Sequence, residues 1–184
     1  MAKGGQFERD MCRTLSEWWV PGRDDIFWRS SNSGGRATVR SKKGKGTYGA
    51  YGDVAATDPI GKALLKLVTI ELKCGYAKMQ AQDIIDKPRS RARTILTGWV
   101  MQAKKSADLA KSVSWIIIHQ RNHRVPMLYC YDKFFGTALP QRLPALRLHC
   151  DGSRLVGIPL ARFLTWLSPD SVKTLVRLHY DGPR

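Results

Sequence analysis

The sequence predicts an α/β domain, on three observations. Residues Gly5–Val20 repeat apolar side chains at helical spacing. Several stretches, foremost "KLVTIELKCGY" from Lys66 to Tyr76, alternate apolar and polar residues with the period of two that a strand requires. A second helical stretch, "WVMQAKKSADLAKS", stands between strand-like runs, the alternation from which α/β layers are built.

In chain order, Phe7, Met11, Leu15 and Trp18 form the apolar stripe of the first helix, with Trp19 beside it, and Pro21-Gly22 ends it. Asp25–Ser30 ("DIFWRS") reads as a short strand. From Ser31 to Gly52 the chain is rich in Gly and Ser and carries Arg36, Arg40, Lys42, Lys43 and Lys45. That composition cannot build a core, so a long basic loop is expected. Asp53–Pro59 ("DVAATDP") predicts a second short strand with a turn at Pro59–Gly61, and the strand bearing Glu71 then runs from about Leu65 to Cys74. A connection with a further basic cluster, "DKPRSRARTI", leads to the helix of Trp99–Ser112, whose Val100, Ala103, Ala107 and Ala110 face inward. "VSWIIIHQ" and "PMLYCYDKFF" predict two strands joined by the "RNHR" turn. The tail predicts a strand pair, "ALRLHC" and "SRLVGIP", and two helices, Leu160–Trp166 and Pro169–Leu178. There is no repeat and no linker, so residues 1–184 are expected to form a single domain, with a core of about 4–135 and a C-terminal α/β extension of about 140–184.

Lys and Arg number 31 against 15 Asp and Glu, a formal net charge of +16. Self-repulsion on that scale disfavours a compact state, and a polyanionic partner is the usual reason for it, nucleic acid before an anionic membrane. The longest apolar runs are far short of a membrane span, and "MAKGGQFERD" lacks the apolar core of a signal peptide. The four cysteines, Cys12, Cys74, Cys130 and Cys150, are widely spaced with no CxxC pair, as expected of reduced thiols in a cytoplasmic protein, nucleoid-associated or in a host cytoplasm.

On the Glu71 strand, Val68, Ile70 and Leu72 share one face and Thr69, Glu71 and Lys73 the other. A strand that merely needed a wet face would look the same. Glu-x-Lys alone is expected by chance in about half of chains this long, so the pair counts only in company. Asp53 opens a strand directly after a Gly-rich stretch, and the turn at Pro59–Gly61 would bring that strand back antiparallel beside Glu71. Glu8 aligns with Cys12, Leu15 and Trp19 at helical spacing, which puts it at the edge of the face that packs on the sheet. Three converging carboxylates repel unless a cation joins them, and Mg²⁺ takes such hard oxygen ligands. A lysine beside them supplies positive charge where an attacked phosphate develops negative charge. No Walker loop or GxSxG competes with this set.

With these residues in place the chain resembles the PD-(D/E)XK nuclease superfamily, in particular the archaeal-type Holliday junction resolvases. The likeness covers roughly the first 120 residues. "GxxxER" matches at Gly4, Glu8 and Arg9, "WRSSNSGG" at Arg29 and the serines Ser31 and Ser33, and the D…ExK core at Asp53, Glu71 and Lys73. The resemblance implies a restriction-endonuclease-like core, a central mixed β-sheet flanked by helices. It also implies a homodimer with two Mg²⁺-dependent sites, Mn²⁺ substituting, that makes paired nicks across a four-way junction. Glu8, Asp53 and Glu71 would hold metal, Lys73 would orient or activate water, and Arg9 and Arg29 would meet phosphate near the scissile bond. Three features depart from the pattern: the long loop before Asp53, the tail beyond about Pro140, and Gly52 where the superfamily motif has its proline.

Further DNA contacts are expected from Arg36, Arg40, Lys42, Lys43 and Lys45 and from Arg89, Arg91 and Arg93. Tyr48 and Tyr51 suit either base stacking or a solvated loop. Three functions are compatible with the sequence. The first is a metal-dependent endonuclease resolving four-way junctions. The second is another nuclease of the superfamily acting on linear duplex or flap DNA. The third is a non-catalytic nucleic-acid-binding protein.

Overall fold

A computed structural model of the chain describes residues 3–30, 51–76, 94–138, 145–150 and 152–180. The first helix, α1 (Lys3–Trp19), buries Phe7, Met11, Cys12, Leu15 and Trp19 along one stripe. Trp18 lies at the edge of that stripe rather than within it and donates from Nε1 to the Leu164 carbonyl at 2.8 Å. Ser16 couples α1 to the next element: its buried Oγ accepts from the Phe27 N–H at 2.9 Å.

Strands β1 (Phe27–Arg29) and β2 (Val54–Ala56) pair antiparallel, with Arg29 opposite Val54. A 3₁₀ turn at Pro59–Gly61, capped by Asp58, follows. Gly61 packs so closely under Phe27 that a Cβ there would lie 2.8 Å from the ring. The strand expected from Leu65 begins later. Residues Lys62–Leu67 ("KALLKL") form a helix, α2, because Leu and Lys are strong helix formers and Leu64 and Leu67 share a buried face.

Strand β3 (Val68–Cys74) is followed by helix α3 (Ile95–Ala110) and strand β4 (Ser114–Gln120), which runs parallel to β3. Thr94 caps the start of α3, and Lys111, in the left-handed conformation, ends it. Strand β5 (Met127–Tyr131) returns antiparallel to β4. Its expected continuation through "DKFF" is instead helical, α4 (Asp132–Ala138).

Strands β6 (Leu146–Cys150) and β7 (Ser153–Pro159) pair as expected. β7 hydrogen-bonds to β5, giving one five-stranded mixed sheet of order β3-β4-β5-β7-β6. Helices α5 (Leu160–Trp166) and α6 (Pro169–Tyr180) close the chain.

Strand alternation sorts the core into two layers. Ile70, Leu72, Ile116, Ile118 and Val156 meet α1, α2, α5 and α6 on one face of the sheet. Trp115, Ile117, Tyr129 and Leu155 meet Leu96, Trp99, Val100, Ala103 and Ala107 of α3 on the other. Ala110, at the end of α3, is only half-buried. The four cysteines are all free, three of them buried. Among the described residues no helix is long and apolar enough to cross a membrane.

Candidate active site

β3 is an edge strand, so one row of its backbone groups has no strand partner. Asp53 fills part of that row. Its N–H donates to the Ile70 carbonyl at 2.8 Å, and its Oδ2 accepts from the Leu72 N–H at 2.7 Å. Ser30, the residue after β1, clamps the same segment, its N–H donating to Asp53 O at 2.9 Å and its Oγ to Gly52 O at 2.7 Å. Gly52 makes the approach possible: its φ is +78°, and a Cβ would stand 2.6 Å from the Ile70 carbonyl oxygen. Proline, fixed near a φ of about −65°, cannot occupy this position, which accounts for the glycine. The expectation that the Asp53 strand pairs antiparallel with β3 is therefore corrected. β2 pairs with β1, and it is Asp53 itself that docks on the edge of β3.

The Thr69–Glu71 face of β3, read from the sequence as the side that water could wet, is buried under α3. Glu71 is 1% exposed. Its Oε2 accepts from Lys73 Nζ at 2.8 Å and from Gln102 Nε2 at 2.7 Å, and its Oε1 accepts from Ser106 Oγ at 2.9 Å. Lys73 also donates to Gln102 Oε1 at 3.2 Å and lies 3.9 Å from Asp53 Oδ2. The set thus holds two carboxylates, Glu71 buried and Asp53 half-buried, against one lysine.

Burial raises the pKa of Asp53 to about 6, with the charge of Glu71 adding to the rise; the Leu72 N–H and Lys73 oppose it, and Glu8 contributes more weakly in the upward direction. The Cys12 thiol, buried beneath the same groups, is pushed up to about 12 by burial first and by Glu8 second. At neutral pH it stays a thiol and takes no part as a nucleophile.

Glu8 sits on α1 near this cluster but turns to Arg29, whose Nε donates to its Oε2 at 2.5 Å. Arg9 and Arg29 converge over Gly5: a methyl there would stand 3.5 Å from the Arg29 guanidinium and 3.8 Å from that of Arg9. The structure therefore brings Asp53, Glu71 and Lys73 into direct reach of one another, with Glu8, Arg9 and Arg29 as a flanking group. Ser31, Ser33, Arg36, Arg40, Lys42, Lys43, Lys45, Arg89, Arg91 and Arg93 lie outside the described residues.

The donor chemistry of Asp53 and Glu71 fits a hard divalent cation, and the mutual repulsion of these two carboxylates is what such a cation offsets. Glu8 fits less directly. Among the described residues no three His, Cys, Asp or Glu side chains stand together as a ready cage.

Gln102 and Ser106 escaped the sequence reading. The available signal was their spacing: four apart on α3, each one residue before an inward-facing alanine, Ala103 and Ala107. Comparison of the chain with protein-family models, with curated proteins and with solved structures gave no match.

Proposed function

We propose that the chain is a metal-dependent DNA endonuclease with a restriction-endonuclease-like core, resolving four-way junctions as a homodimer. The observation that carries this reading is the excess of carboxylate over lysine around the buried Glu71, with Asp53 raised to about 6. A purely structural ion pair would balance its charges, and well-packed apolar residues would hold the fold at least as well. Buried carboxylates forced together are what a cation-dependent phosphoryl site needs. The charge of +16 supplies the attraction for a polyphosphate.

In this reading Asp53 and Glu71 hold Mg²⁺, which when bound polarises a phosphoryl oxygen and acidifies water. Lys73, fixed by Glu71 and Gln102, points its ammonium between the two carboxylates. There it orients the attacking water and offsets the negative charge that grows on the phosphoryl group. Arg9 and Arg29 meet the flanking phosphate as forked donors. Glu8 keeps Arg29 in position. A resolvase needs two such sites facing two strands of a symmetric substrate, hence the dimer.

Glu71→Gln retains the shape of the side chain and an acceptor for Lys73 while removing its charge. We expect it to lower Mg²⁺-dependent cleavage at least about 10²-fold with DNA affinity unchanged in a filter-binding assay. Cutting at the wild-type rate by Glu71→Gln would reject the site.

A further inference from the structure

Just past the end of β3 at Cys74, the chain presents an aromatic ring. Gly75 and Tyr76 both have left-handed backbones, with φ of +85° and +52°. For a bulky residue this is uncommon and persists only where the surroundings hold it. Here they do. The Gly75 N–H donates to Gln120 O at 2.9 Å, and the Gly75 carbonyl is hydrogen-bonded to His119 Nε2 at 3.0 Å. The Tyr76 ring meets Trp99 edge-to-face at 4.9 Å and His119 at 6.4 Å. Trp99 and His119 are buried and only 4.8 Å apart, so they support the tyrosine from one side. Tyr76 is nonetheless 50% exposed. A large ring is thus packed on one side and exposed to solvent on the other.

Its contact with Trp99 of α3 connects it to the cluster of acids. Trp99, Gln102 and Ser106 follow one another on one face of the helix. Ser106 and Gln102 hold Glu71, Gln102 holds Lys73, and Trp99 holds Tyr76. Along the chain, Tyr76 follows Lys73 by three residues.

We propose, resting on the nuclease reading above, that Tyr76 is a stacking platform for an unpaired base beside the phosphate handled by Glu71 and Lys73. A paired duplex keeps its bases stacked on one another, whereas a branch point supplies a base free to leave the stack. Stacking on a tyrosine accepts any base, so the platform reads structure rather than sequence.

The test uses the full-length Glu71→Gln chain, which leaves Tyr76 untouched, bound to a four-way junction carrying 5-iodouracil in turn at each branch-point nucleotide. Irradiation and peptide mapping should place a crosslink on Tyr76 from at least one position. In the same background Tyr76→Ala should abolish that crosslink and weaken junction binding about 10-fold while leaving affinity for linear duplex unchanged. Tyr76→Phe should restore both, a rescue that a hydrogen-bonding role would not give. Crosslinks that never reach Tyr76, or junction affinity unchanged in Tyr76→Ala, would overturn the platform while leaving the nuclease reading standing. A wild-type chain that bound neither DNA would remove both.

Discussion

Asp53 carries a pKa of about 6 against an ordinary 3.8, and the direction has consequences for stability. A carboxyl whose folded pKa is raised binds its proton more tightly in the native state than in the unfolded one. Its contribution is therefore fully present below about pH 3.8 and is lost as pH rises through about 6, a difference on the order of 3 kcal/mol. Asp53→Asn keeps an acceptor for the Leu72 N–H and removes the charge. Without metal it should be more stable than wild type at pH 7 by a few kcal/mol, and the advantage should shrink towards zero near pH 4. Urea unfolding at the two pH values measures this. Added Mg²⁺ should raise the midpoint of wild type at pH 7 and leave that of Asp53→Asn unmoved. A variant less stable than wild type at pH 7 would mean that the charge of Asp53 contributes to the fold.

At the scale of elements, α3 decides whether the Glu71 face of β3 is a surface or a site. Gln102 bridges Glu71 and Lys73. Gln102→Ala should slow cleavage by about 10- to 100-fold, as loss of an orienting partner commonly does. Ser106→Ala, which removes a single hydrogen bond to Glu71, should do less. Cleavage rates read beside unfolding midpoints separate an orienting role from simple destabilisation, and a Gln102→Ala chain cutting at the wild-type rate would deny it. The sequence made β3, α1 and the tail strands legible because their periods are local. It named Asp53, Glu71, Lys73 and Glu8 because acids around a Glu-x-Lys strand carry a chemical meaning. It could not show that Glu71 is buried, since alternation says which residues share a face and not what covers it. The short helix α2 was hidden by leucines that suit strand and helix alike. The joining of β7 to β5 was hidden because it is a pairing between distant segments, with no local signature.

For the whole molecule, charge and symmetry carry the predictions. On the proposed reading, an excess of 16 positive charges means that binding to DNA would release counterions, so affinity should fall steeply with salt. Replacing Lys42, Lys43 and Lys45 by alanine should weaken binding alike for every sequence. It should also flatten the slope of log affinity against log salt by about 1 for each phosphate no longer neutralised. An unchanged slope would mean that these lysines do not touch DNA. The central claim is that Asp53, Glu71 and Lys73 cut branched DNA. It is tested most directly by incubating the protein with Mg²⁺ and a four-way junction of fixed arms, with a linear duplex of the same sequence in parallel. Paired, symmetric nicks in the junction and none in the duplex are the expected result. An intact junction after tight binding would contradict the claim and return Glu71 and Lys73 to the role of a buried ion pair.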